Sequence, residues 1–173
     1  LQTEAVADRL TQLTPNNKWV QSNGNDVHLV ITGGEPLLGW QRAFPELLEN
    51  NKMKDLINIT FETNGTQKIH PEFGEYMKSW SKARGDSYHS DITFSVSAKL
   101  SASGEKWEDA VKPEIVADYE QYGTTYLKFV VENPKDFDEV DRAVKAYREA
   151  GLKGVVYIMP VGGVVSVYEN NKF

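Results

Sequence analysis

The feature that most constrains the fold is the regular recurrence of short strand patterns along the chain. Five segments alternate apolar and polar residues in the manner of half-buried strands, and they begin near positions 27, 57, 92, 125 and 155. The intervals of about 30 to 35 residues match the length of a βα unit. Strands joined by crossover helices pair in parallel, so the pattern predicts an α/β fold. Periodicity alone leaves open whether the sheet is doubly wound or part of a barrel.

Between the strands, apolar residues recur at helical spacing. A stripe that starts at Trp40 predicts an amphipathic helix with this tryptophan in the core. Pro113 is placed in the first turn of a short helix, where proline is well tolerated. A later stripe starts at Phe137, and its helix is predicted to be capped at Asn133 and to end at Gly151. The least regular stretches, 81–91 and 99–109, are predicted to be loops.

Length and charge narrow the class of protein. The 173 residues suffice for one domain, taken as 1–173, and neither a linker nor a low-complexity run divides them. With 25 acidic against 19 basic residues, the net charge of −6 argues against a nucleic-acid partner. No apolar run approaches the roughly 20 residues that span a bilayer, and the first residues do not resemble a signal peptide. We expect a cytoplasmic protein without a membrane partner.

The chain contains no cysteine. Within these residues, that composition excludes a disulfide, a catalytic thiol and a metal cluster held by thiolates.

Polar residues and glycines follow every predicted strand. In order, the segments are Thr32–Pro36, Glu62–Thr66, Ser97–Lys99, Glu132–Asn133 and Met159–Gly163. Because parallel α/β folds bind ligands at the carboxyl ends of their strands, the convergence favours a small-molecule site. Plain turns with a solvated Glu35 are the alternative.

The glycine pair in this set matches neither of the two common phosphate-binding patterns. GGEP at 33–36 lacks the Gly-Lys-Ser/Thr of a P-loop and the GxGxxG of a dinucleotide site. Its glycines allow a ligand close to the main chain. A carboxylate and backbone carbonyls suit an ammonium group, so the segment fits a ligand that carries amine and adenosine groups.

Five segments in order carry a family resemblance. They are VITGGEPL (30–37), ETNGT (62–66), VSAKL (96–100), LKFVV (127–131) and MPVG (159–162). This series resembles the radical S-adenosylmethionine enzymes, and within them the 7-carboxy-7-deazaguanine synthases of the queuosine pathway. The resemblance extends over about 25–165, which is most of the chain.

The resemblance implies a fold, a cofactor and a reaction. The fold would be a partial (β/α) barrel with parallel strands, of which this chain supplies the second to the sixth strand of the radical S-adenosylmethionine core. The residues implied to bind S-adenosylmethionine are Gly33, Gly34, Glu35, Thr63, Asn64, Ser97, Ala98, Lys99, Met159, Pro160, Val161 and Gly162. Gly33, Gly34 and Glu35 would hold the amino group of its methionine part, and Thr32 would contact the substrate.

The family's reaction is a radical ring contraction of 6-carboxytetrahydropterin to 7-carboxy-7-deazaguanine, with loss of ammonia and help from Mg²⁺. The partner implied is therefore a small pterin, and a homodimer stays open.

The chain departs from the family in one respect. Family members carry a CxxxCxxC segment whose three thiolates bind a four-iron four-sulfur (4Fe-4S) cluster, and no residue here replaces it. We therefore expect a fragment that lacks this segment and the C-terminal end, and that is inactive by itself. The alternatives are a cluster-free relative, another radical enzyme such as a glycyl-radical activase, and a non-catalytic α/β binding domain.

Overall fold

A computed structural model describes residues 2–84 and 91–161 of the 173-residue chain. The strands are β1 (His28–Ile31), β2 (Asn58–Thr63), β3 (Asp91–Val96), β4 (Thr124–Val131) and β5 (Val156–Pro160). The helices are α1 (Thr3–Leu13), α2 (Phe44–Leu48), α3 (Pro71–Arg84), α4 (Trp107–Ala110), α5 (Pro113–Tyr119) and α6 (Asp136–Glu149). Each strand begins within one residue of the position predicted from the sequence.

The five strands form one parallel sheet in the order β1-β2-β3-β4-β5. Val30 pairs with Thr60, Thr60 with Thr93 and Thr93 with Thr124, so one row of side chains crosses four strands. A doubly wound sheet would reverse its strand order near the middle. The sequential order therefore confirms the α/β prediction and is consistent with the partial barrel.

The main core lies on one face of this sheet. Alternate strand residues such as Phe61 and Phe94 are buried there, with ring centroids 5.6 Å apart. Phe94 also packs on Tyr119 of α5, at 4.8 Å between centroids. Val30 and Val130, which point to the other face, are exposed. The described helices thus leave one face of the sheet open, and we call it the open face.

Two local predictions about helices are wrong. Trp40 is 63% exposed and lies in a turn before α2, which begins only at Phe44. Helix α6 begins at Asp136, with Lys135 rather than Asn133 at its N-cap, and Phe137 is exposed. The helix ends where predicted, because Gly151 follows with a φ of 102°. Among the described residues, no helix is long and apolar enough to cross a membrane.

Candidate functional site at the carboxyl edge of the sheet

The chain leaves β1 through two glycines in a left-handed conformation. Gly33 has a φ of 99° and Gly34 a φ of 56°, which side-chain-bearing residues rarely adopt. No atom lies within 4 Å of the place where a Cβ would sit on either residue. Thr32, just before them, is exposed. The space beside the main chain here is therefore open.

Glu35 is half-buried, and its carboxylate accepts three hydrogen bonds from the protein. Oε1 accepts hydrogen bonds from the Thr63 hydroxyl (2.7 Å) and from the backbone N–H of Leu37 (3.1 Å). Oε2 accepts one from the backbone N–H of Asn64 (2.7 Å). The alternative of a solvated turn residue does not describe Glu35, because its carboxylate joins the loop after β1 to the loop after β2.

The loop after β2 is held by local contacts that the ETNGT sequence explains. Asn64 Oδ1 accepts hydrogen bonds from the N–H and the hydroxyl of Thr66, which closes a tight turn. Gly65 has a φ of 76°, and a Cβ there would lie 2.7 Å from a methyl carbon of Val96. The hydroxyl of Tyr119 donates to the carbonyl of Gln67, and burial raises the pKa of this tyrosine. The side chains of Thr63 and Asn64 therefore maintain the loop.

The segment after β3 is hydrogen-bonded to the end of β2 and to α6. The N–H of Ser97 donates to the carbonyl of Thr63 at 2.8 Å, and Ala98 is buried. Lys99 is exposed at the edge of the sheet. Two residues further on, both the N–H and the hydroxyl of Ser101 donate to the carboxylate of Glu139 on α6. This anchor fixes the segment that carries the ammonium group of Lys99.

Two adjoining depressions lie along this edge and share Ser97 and Lys99. The first has a volume of about 210 Å³. Its lining residues are Thr32, Gly34, Glu62, Thr63, Asn64, Ser97, Lys99 and Lys128. The second has a volume of about 350 Å³. Its lining residues are Ser97, Ala98, Lys99, Leu100, Ser103, Val130, Glu132 and Val161. The first is rich in charged and polar groups, and the second adds apolar side chains.

An ion pair stands where the first depression meets the open face. Lys128 Nζ lies 3.2 Å from Glu62 Oε1, and the lysine side chain is only 21% exposed. Nearby on the same face, Tyr126 and Tyr157 make an edge-to-face contact with centroids 5.2 Å apart. Met159 lines a further depression of about 350 Å³ with these tyrosines and Lys128. Lys128 therefore points to the open face, away from the main core.

Most of the predicted site residues come together at this edge. Gly33, Glu35 and Pro160 line neither edge depression, and Met159 lines only the depression on the open face. Gly162 lies outside the described residues. Sequence reasoning missed Leu100, Ser103 and Val130 as lining residues. The two-residue alternation from Lys128 would have found Val130, because both point to the open face.

A larger depression, of about 750 Å³, lies at the opposite edge of the sheet, where the strands begin. Its acid, Glu120, already accepts hydrogen bonds from the N–H groups of Lys153 and Gly154. We do not assign a site there, since the convergent polar groups are at the other edge. Within the described ranges, no cluster of three or more histidines or acids could hold a metal ion.

Comparison with known proteins identifies a homologous enzyme. A 7-carboxy-7-deazaguanine synthase from Pyrobaculum aerophilum is 33% identical over 135 residues, which are 78% of this chain and 50% of the synthase. The two chains are homologous. The chain spans about half the length of this curated relative, and it is thereby related to an enzyme of 7-deazaguanine synthesis. No family model and no solved structure matches the chain.

Proposed function

We propose that this chain forms the S-adenosylmethionine-binding part of a 7-carboxy-7-deazaguanine synthase of the radical type. The observation that carries the proposal is the convergence of the GGEP, ETNGT and VSAKL segments at one edge of a sequentially ordered parallel sheet. Homology to a synthase of this name, over 78% of the chain, supports the same function.

The residues at this edge fit S-adenosylmethionine. The open main chain of Gly33 and Gly34 suits the amino group of the methionine part, with Glu35 in the same segment. Ser97 and Lys99 offer a hydroxyl and an ammonium group to polar atoms of the ribose and the carboxylate. The more apolar depression, with Ala98 and Val161, suits the adenine ring. In a complete synthase, this cofactor would supply the radical for the ring contraction after its one-electron reduction by a cluster that this chain does not hold.

The pterin is proposed to lie over the open face next to the cofactor. Thr32 and the Glu62–Lys128 pair border that position. Lys128 suits the carboxylate of 6-carboxytetrahydropterin, and Glu62 suits donor groups on its pyrimidine ring. The product would be 7-carboxy-7-deazaguanine, with ammonia released.

The iron–sulfur cluster does not fit the residues of this chain. Cluster iron in this family is held by thiolates, and the sequence has no cysteine. No step is therefore derived through the cluster, and no ligand is assigned to Mg²⁺. We expect the isolated chain to bind S-adenosylmethionine weakly and to be catalytically inactive.

A titration tests the binding proposal. S-adenosylmethionine is titrated into isotope-labelled chain, and its affinity is measured by NMR. The wild type is compared with Lys99→Ala and Lys106→Ala. Lys106 is also an exposed lysine, and it lines neither depression. Loss of a charge-assisted contact of roughly 1.5–3 kcal/mol weakens binding about tenfold to a hundredfold. Lys99→Ala should show this loss and Lys106→Ala should not. Equal affinities, or no binding by the wild type, would contradict the proposal.

A non-catalytic binding domain is the second candidate. The absence of cysteine from the sequence is the observation that favours it. Binding of S-adenosylmethionine does not separate the two candidates. An activity assay separates the two candidates. The chain is joined to a cluster-bearing N-terminal segment, and turnover of the pterin is measured. A non-catalytic binding domain would stay inactive.

A further inference from the structure

The carboxylate of Glu35 has a geometry that a direct ligand group would not need. A carboxylate offers about four acceptor positions, and three of them are used by Thr63, Leu37 and Asn64. Two of these contacts are 2.7 Å long, which is in the range of strong hydrogen bonds to an ionised acceptor. An ammonium ligand would have to compete with donors that are already in place.

The contacts of Glu35 extend to a third strand end. Its partner Thr63 is only 3% exposed, and the same hydroxyl also accepts a hydrogen bond from the N–H of Gly65. The carbonyl of Thr63 accepts from the N–H of Ser97. One continuous series of hydrogen bonds therefore links the loop after β1 with the ends of β2 and β3.

We propose that Glu35 is a positioning residue, whose carboxylate fixes the loops after β1 and β2 relative to each other. A cofactor at this edge then contacts the main chain of Gly33 and Gly34 rather than the carboxylate. The identity of that cofactor, S-adenosylmethionine, rests on the proposed function. The clamp, by which we mean the three hydrogen bonds to the Glu35 carboxylate, does not depend on the proposed function, because it is a property of the chain alone.

Hydrogen exchange measures the clamp without any ligand. In labelled chain, the amide protons of Leu37 and Asn64 are followed in the wild type, in Glu35→Ala and in the control Glu105→Ala. Glu105 is exposed and lies in a loop. Losing charge-assisted bonds should speed exchange at both amides about tenfold or more. Unchanged exchange at Asn64 in Glu35→Ala would overturn the proposal.

Substitution of Thr63 separates a clamp from a simple packing role. Thr63→Val keeps the shape but removes the donor to Glu35, so exchange at Leu37 and Asn64 should rise. Thr63→Ser keeps the hydroxyl and should restore the protection. Glu35→Gln can accept on one side only, because its amide NH2 must face a donor on the other side. Exchange should therefore rise at Leu37 or at Asn64, by less in total than in Glu35→Ala. Unchanged protection of both amides in Thr63→Val or in Glu35→Gln would contradict the clamp.

Affinity for S-adenosylmethionine tests the second half of the proposal. Glu35→Ala and Thr63→Val should weaken binding by similar factors, and the double variant should be no weaker than the worse single one. A direct ligand would make Glu35→Ala alone severe and leave Thr63→Val near wild type, which would overturn the proposal. If wild-type chain does not bind the cofactor, the proposed function fails, while the exchange experiment still decides the clamp.

Discussion

At the scale of single residues, Gly65 combines two separate requirements for glycine. Its φ of 76° disfavours any side chain, and a Cβ would lie 2.7 Å from a Val96 methyl carbon and 2.8 Å from one of Val116. Left-handed strain costs about 1–2 kcal/mol, and overpacking costs about 1–3 kcal/mol. Gly65→Ala should therefore lower the free energy of unfolding by about 2–5 kcal/mol.

Gly104 is the matched control for that substitution. Its φ of 82° is similar, but nothing lies within 4 Å of a Cβ built there. Gly104→Ala should cost only the strain, about 1–2 kcal/mol. Urea unfolding of the two variants measures the difference. Equal losses would show that the contacts with the two valines relax without cost.

At the scale of elements, the sequence predicted the strands better than the ends of the helices. Apolar and polar residues alternate along each strand because one face of the sheet is buried, so the start of each strand could be predicted from the sequence. The turn at Trp40 is set by a contact distant in sequence instead. The buried side chain of Gln41 donates to the carbonyls of Leu37 and Lys68, and it accepts from the N–H of His70. Periodicity does not contain that information.

In the candidate site too, local features could be predicted from the sequence and contacts between distant residues could not. The glycines and polar residues at the strand ends were visible, because turn chemistry and strand direction are local properties. The clamp of Glu35 on Thr63 joins residues 28 positions apart, so it required the packed structure.

The start of α6 gives a pH-dependent prediction. The Asp136 carboxylate accepts hydrogen bonds from the N–H groups of Glu132 and Asn133, and these bonds hold its pKa below the ordinary value of 3.8. A lowered folded-state pKa contributes stability above pH 3.8, and the contribution is lost as the pH falls through the folded value. Asp136→Asn should therefore be less stable than wild type at neutral pH.

The difference in free energy of unfolding between wild type and Asp136→Asn should disappear in acid. Unfolding curves at a series of pH values from neutral to below 3.8 measure it. Asp141→Asn, an exposed position in the middle of α6, serves as the control. A difference between wild type and Asp136→Asn that stays constant down to the lowest pH would contradict the role of the ionised carboxylate.

At the scale of the whole molecule, buried tyrosines predict where alkali unfolds the chain. Burial raises the pKa of Tyr147 to about 12, and it also raises the pKa values of Tyr76 and Tyr119. In the unfolded chain these tyrosines ionise near the ordinary pKa of 10.0, whereas in the folded chain they stay neutral to a higher pH. The free energy of unfolding is therefore unaffected below pH 10 and falls as the pH rises from 10 to the folded-state pKa values. Stability should thus decline steeply between pH 10 and 12.

Phenolate absorbance and circular dichroism, recorded together, check this prediction. The buried tyrosines should ionise only as the fold is lost, and all eight should ionise early in denaturant. Tyr147→Phe should move alkaline unfolding to higher pH, whereas Tyr126→Phe on the open face should not. Ionisation of all eight tyrosines before the loss of circular dichroism would contradict the prediction.

The sequential strand order has a consequence for how the chain is made. Within the described residues, every strand pairs only with its neighbours in the sequence, and no later strand inserts between two earlier ones. During synthesis, every new βα unit can therefore dock onto the edge that the previous unit has just formed. Ribosomal elongation and sheet growth proceed in the same direction, and no existing strand pair has to open for the next to join.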